Sequence, residues 1–131
     1  MYFTPKADPR LFRCSCGREV CDAPTPNPAL IEMLNVMRHL YGQPMAVTSG
    51  PRCRWYNEQE HGDPKSEHLY GDGADLACVS SRQRYQMLNA ARLAGFKRVG
   101  IGADFLHVGI SERPEHPPEV AWDYYPKRAR T

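Results

Sequence analysis

Apolar residues recur three and four apart between residues 27 and 42, at Leu30, Ile31, Leu34, Met37 and Leu40, the spacing of one buried helix face. Asn27 is suited to cap this helix, Pro28 to its first turn and Gly42 to its end. A second helical stretch is expected over residues 81–94, capped by Ser80 or Ser81, with Tyr85, Leu88, Ala91 and Leu93 on one side and Gly95 as its stop. Elsewhere the pattern shortens to apolar runs bounded by glycine and proline. Residues 45–49, 73–79, 96–101 and 105–110 read as strands on that ground. Residues 51–66 are polar and mixed, a loop with one turn of helix. The order predicts an α+β fold, a small antiparallel sheet with helices packed against it.

The flanks differ from this middle. Residues 1–26 carry Pro5, Pro9, Pro24 and Pro26 and read as an irregular, cysteine-containing arm. Residues 112–131 are again proline-rich, with Trp122, Tyr124 and Tyr125 available to pin the segment back. With 131 residues in all, one domain spanning 1–131 with one modest core is expected.

Charge and composition exclude more than they select. Seventeen basic against 15 acidic residues leave a net charge of +2, too balanced to point to nucleic acid. The basic run 127–130 reads as a solvated end. A third reading would pair it with the cysteine knuckle as a nucleic-acid contact, marked by steep salt dependence. No apolar run approaches a membrane span, and the start lacks the apolar core of a secretory signal, so no membrane partner and no export address are expected. A monomer is expected.

The five cysteines are an odd number. Cys14-Ser15-Cys16-Gly17 resembles a tight knuckle that Cys21 could complete and Cys53 could join around a structural zinc ion. The alternative is a mixture of buried free thiols with one disulfide, of which Cys53–Cys78 is geometrically conceivable.

The chemistry concentrates in Ser66-Glu67-His68-Leu69-Tyr70-Gly71-Asp72-Gly73-Ala74-Asp75-Leu76. Asp72-Gly73 is a turn dipeptide, and a reversal there brings His68 and Asp75 together. An aspartate within Ala-Asp-Leu-Ala is costly to bury unpaired, and a cation would serve it. His107, inside an apolar strand pattern, offers a third ligand. Two imidazoles and a carboxylate suit zinc and leave a position open for water. Asp104, three residues before His107, could accept that water's proton. Each residue also has an ordinary reading: a hydrogen-bonded core histidine, a turn aspartate, a surface arginine. His61 is a rival ligand in the loop.

Taken together, Thr48-Ser49-Gly50-Pro51-Arg52, Asn57, Ser66-Glu67-His68-Leu69-Tyr70-Gly71, Ala74-Asp75-Leu76, Val99-Gly100-Ile101-Gly102 and Phe105-Leu106-His107-Val108 resemble the zinc D-alanyl-D-alanine carboxypeptidase family of peptidoglycan peptidases, which includes phage endolysins cutting L-Ala-D-Glu bonds. The resemblance covers roughly residues 27–111 and extends to the hedgehog signalling domain. It implies zinc ligands at His68, Asp75 and His107, an acid–base role for Asp104, where many relatives carry glutamate, an oxyanion or substrate-carboxylate contact for Arg52, with Arg54 close by, and a substrate contact for Ser66. One catalytic zinc ion, a peptidoglycan stem peptide as substrate and a lysin-like enzyme acting at the bacterial cell wall follow as expectations. A non-catalytic zinc-stabilised binding module on the same fold is the alternative. The chain departs from the family at Gly109, where relatives often carry an acidic residue that supports the last histidine, and at His61-Gly62-Asp63-Pro64, where a glycine pair is usual.

Overall fold

The computed structural model describes residues 1–125, so the basic run 127–130 lies outside the described residues. The chain order is α1 (Pro9–Phe12), α2 (Pro28–Tyr41), β1 (Val47–Ser49), α3 (Arg54–Gln59), a 3-10 helix (Glu67–Tyr70), β2 (Gly73–Ala77), α4 (Ser81–Ala94), β3 (Arg98–Ile101), β4 (Phe105–Gly109) and β5 (Val120–Asp123). The fold is α+β, as expected.

Local chemistry sets the two long helices. The Asn27 side chain accepts from the Ala29 N–H, Ser80 accepts from Gln83, and Gly42 and Gly95 close the helices at φ 78° and 105°. Each of the two N-cap side chains is worth about 1 kcal/mol. Leu30, Leu34 and Met37 of α2 pack against Met87, Ala90 and Ala91 of α4 and against the sheet. Full burial of such side chains contributes about 1.5–3 kcal/mol each. The expected helix faces need correction at their edges. Leu40 is half exposed, and Tyr85 and Leu93 point to solvent, their core places taken by Met87 and Ala90.

The sheet order is β1-β2-β4-β3-β5. The β1–β2, β2–β4 and β3–β4 pairs are antiparallel, but β3–β5 is parallel, so the sheet is mixed rather than antiparallel throughout. β5 was not expected. It lies in the proline-rich segment 112–131, and its alternation of half-buried and exposed residues is too short to read as a strand alone. The N-terminal arm likewise contains a short helix, α1, whose Leu11 is fully buried. The backbone of Arg10 and Leu11 presses so close to Gly50 that a Cβ there would lie 2.4 Å from the Arg10 carbonyl oxygen.

Strand alternation separates two chemistries. Ala74, Leu76, Leu106 and Val108 face the helices and are fully buried. Asp75 and His107, of opposite parity, face away from the helices and pair directly across β2 and β4.

Candidate metal centre

The short 3-10 helix delivers His68. Ser66 caps it by accepting from the His68 N–H, and Gly71 ends it at φ 74°. The chain then enters β2 and places Asp75 mid-strand, so the reversal expected around Asp72-Gly73 brings the two side chains together. His68 Nε2 lies 3.1 Å from Asp75 Oδ1, and His107 Nδ1 lies 2.9 Å from the same oxygen. The imidazole rings are 5.0 Å apart and steeply inclined. All three residues are buried. Gly73 makes room, since a Cβ there would sit 2.6 Å from His107 Cε1.

The remaining ring nitrogens are committed. His68 Nδ1–H donates to the Gly50 carbonyl at 2.7 Å, and His107 Nε2–H donates to Glu67 Oε1 at 3.0 Å. With those tautomers set, two nitrogen lone pairs and a carboxylate oxygen point at one another. That arrangement is repulsive unless a proton or a cation lies among them. Zinc bonds of about 2.0–2.2 Å to nitrogen and oxygen require donors only slightly farther apart than these. The donor set therefore fits a zinc ion, and Gly50 and Glu67 act on it through the histidines they orient.

Glu67 is the functional residue that sequence reasoning missed. Its carboxylate accepts from His107 and from the Ser111 N–H at 3.0 Å, and its Oε1 is 3.0 Å from Arg98 Nε, an ion contact whose N–H is not aligned for a hydrogen bond. Support absent at Gly109 is supplied from here: a Cβ on Gly109 would lie 2.1 Å from both Glu67 carboxylate oxygens. The glycine and the glutamate occupy one space between them. Only the register of β4 against the 3-10 helix reveals this.

Arg52 reaches the same centre. Its Nε donates to Ser49 Oγ at 3.0 Å, one terminal nitrogen donates to Asn57 Oδ1 and the other to Asp75 Oδ2, both at 3.3 Å. Arg54 is exposed on α3 and does not line the cleft, whereas Arg52 and Arg98 both do. The site opens into a cleft of about 920 Å³. Phe105, Trp122 and Tyr124 line it as one aromatic cluster, and Asp63, Lys65 and Ser66 line it too. Trp122 comes from β5 and stacks 5.6 Å from His107. His116 fastens the C-terminal segment to this rim, accepting from Ser111 Oγ and donating to the Lys65 carbonyl. His61 lines the cleft outside the His68, Asp75 and His107 cluster. Asp104 is exposed in the β3–β4 turn, is held by its carbonyl to the Cys78 N–H, and is not among the cleft-lining residues.

Burial pulls the His68 pKa below the usual imidazole value despite the pull of Asp75. Burial also opposes charge on His107, but the carboxylates of Asp75 and Glu67 outweigh it and push the value up to about 9. Burial disfavours the ionised carboxylates of Asp75 and Glu67 as well. The charge of His68 and the bonds from both histidines nonetheless hold Asp75 down, and His107, the Ser111 N–H and Arg98 hold Glu67 down.

A folded-state value raised from 6.5 to about 9 means that His107 contributes stability fully below pH 6.5 and loses it as pH climbs through 9. The metal-free protein should therefore lose melting temperature across that interval, and a His107→Gln variant should not show this loss. Zinc affinity should rise over the same interval, because the metal ceases to compete with a proton. Thermal melts and zinc titrations between these pH values check both; superimposable wild-type and variant curves would contradict the assignment.

A buried two-histidine, one-carboxylate cluster lining a cleft is a donor set able to hold the zinc ion of a metallohydrolase. The pattern of the peptidase M15 family matches residues 5–111, and the chain belongs to that family. It is a zinc metallopeptidase, and its family acts on peptidoglycan. The match reaches into the N-terminal arm, farther than the motifs alone indicated. No curated protein matches the chain. Among the described residues, no helix is long and apolar enough to cross a membrane.

Proposed function

We propose that the cleft hydrolyses a peptide bond in bacterial cell-wall stem peptides, as a D-Ala-D-Ala carboxypeptidase or an L-Ala-D-Glu endopeptidase, in a lysin-like role at the wall. The observation that carries this reading is the convergence of His68 Nε2, His107 Nδ1 and Asp75 Oδ1, with each opposite ring nitrogen already bonded. These three residues are the ones that would hold zinc. Bound there, zinc supplies Lewis acidity toward water and the scissile carbonyl.

The chain's own groups supply the rest. Ser49, Asn57 and Asp75 brace the Arg52 guanidinium, so it meets a substrate carboxylate or a developing oxyanion without rotamer search. The Ser66 oxygen is occupied by the His68 N–H, which leaves its hydroxyl proton to donate to a stem-peptide carbonyl. Asp104 accepts a proton from the attacking water and returns it to the leaving amine. Phe105, Trp122 and Tyr124 exclude water from one side of the peptide. The charged rim at Asp63 and Lys65 suits a stem that carries both amino and carboxylate groups.

The test is digestion of purified peptidoglycan by zinc-loaded and chelator-stripped protein, with products read by mass spectrometry. Release of one defined fragment, lost on stripping and restored by zinc, is the expected result, and the fragment's mass names the bond. Zinc binding with no fragment released would leave a binding module on this fold.

A further inference from the structure

The second cluster of chemistry-bearing side chains lies outside the cleft. Cys14, Cys16, Cys21 and Cys53 bring their sulfurs within 4.8 Å of one another, and all are free thiols. The disulfide conceived between Cys53 and Cys78 is not formed, since Cys78 is buried in the core cluster and Cys53 faces Cys14. The Cys14–Cys53 sulfur separation is 3.8 Å. A disulfide requires about 2.05 Å. The edge of a tetrahedron built on zinc–sulfur bonds of about 2.3 Å is about 3.8 Å.

The backbone is arranged around sulfur as well. The Arg18 N–H points at Cys16, the Cys53 N–H at Cys14 and the Tyr56 N–H at Cys53, each at 3.4 Å. Such donors stabilise negative charge on a thiolate. Gly17 stands at φ 69° with nothing within 4 Å of a Cβ position. Glycine is there for its backbone angle, which turns the chain so that Arg18 N–H folds back on Cys16.

We propose that Cys14, Cys16, Cys21 and Cys53 form a four-thiolate zinc site, separate from the catalytic centre, that fastens the N-terminal arm to the loop between β1 and α3. Its closed ligand set makes it structural rather than catalytic. Its position gives it a consequence for the cleft. Cys53 follows Arg52 directly, and Gly50 in the same loop holds His68. The ion would clamp one end of the segment that orients both residues.

The test uses the full chain, purified under reducing conditions and loaded with zinc or cobalt. Elemental analysis should find about two metal equivalents per chain. Cobalt should give a sulfur-to-metal charge-transfer band that survives His107→Ala. Cys16→Ser or Cys21→Ser should lose one equivalent and weaken the band, while His107→Ala loses the other equivalent. Thiol titration of the native wild-type protein should show the cluster protected by zinc and reactive after stripping, a readout that does not depend on the variants folding. One equivalent in the wild type, no thiolate band, and thiols equally reactive with and without zinc would overturn the site. That result would leave the peptidase reading intact, because the two centres share no ligand.

Discussion

Replacing Asp104 by asparagine is expected to lower kcat on stem peptides by about 10²–10⁴-fold, the contribution of a positioned proton carrier, while the zinc content stays unchanged. Asparagine keeps the size and loses the proton affinity, so a fall in rate isolates proton transfer from packing. The prediction is demanding, because the Asp104 carboxylate is exposed in the β3–β4 turn and does not line the cleft. A catalytic hydrogen bond is often completed only when substrate closes the site. Asp104 is anchored by its backbone to Cys78 and directly precedes Phe105, which does line the cleft, so its carboxylate has to turn toward the cleft when substrate binds. An unchanged kcat in Asp104→Asn, with a normal product mass, would move the proton to another group.

Glu67→Ala is expected to weaken zinc binding by about 10–100-fold, the usual effect of removing a carboxylate that orients a metal-bound histidine. It should also cost about 3–5 kcal/mol of stability, because Arg98 is then buried without its ion partner. The second effect separates Glu67 from a surface carboxylate, whose loss would cost about 0–1 kcal/mol. Gly109 provides the decisive companion variant. Alone, Gly109→Asp drives a side chain into the Glu67 carboxylate and should destabilise the fold. Combined with Glu67→Ala, it places a carboxylate in the vacated space and should recover part of the zinc affinity. Zinc titration and denaturant melts of the two single variants and the double variant read out both quantities. Equal zinc affinity in Glu67→Ala and wild type would remove Glu67 from the site.

Much of this molecule is legible in its residues because the relevant physics is local. Asn27, Ser80, Gly42 and Gly95 mark helix ends through caps that need only neighbouring backbone. The apolar runs at 73–79 and 105–110 read as strands, and Asp75 and His107 stand out inside them as polar residues that need a partner. What the sequence could not show was register across distance. Nothing local says that Asp75 lies opposite His107, that Glu67 fills the space left by Gly109, or that β5 joins β3 in parallel with Trp122 beside the metal ligands. The same holds for Met87 displacing Tyr85 from the helix interface, which depends on how α4 is rotated against α2. Candidate ligands are named by residue type and spacing, whereas their geometry and the groups that orient them depend on contacts between segments 30 or more residues apart, which only the packed chain brings into being.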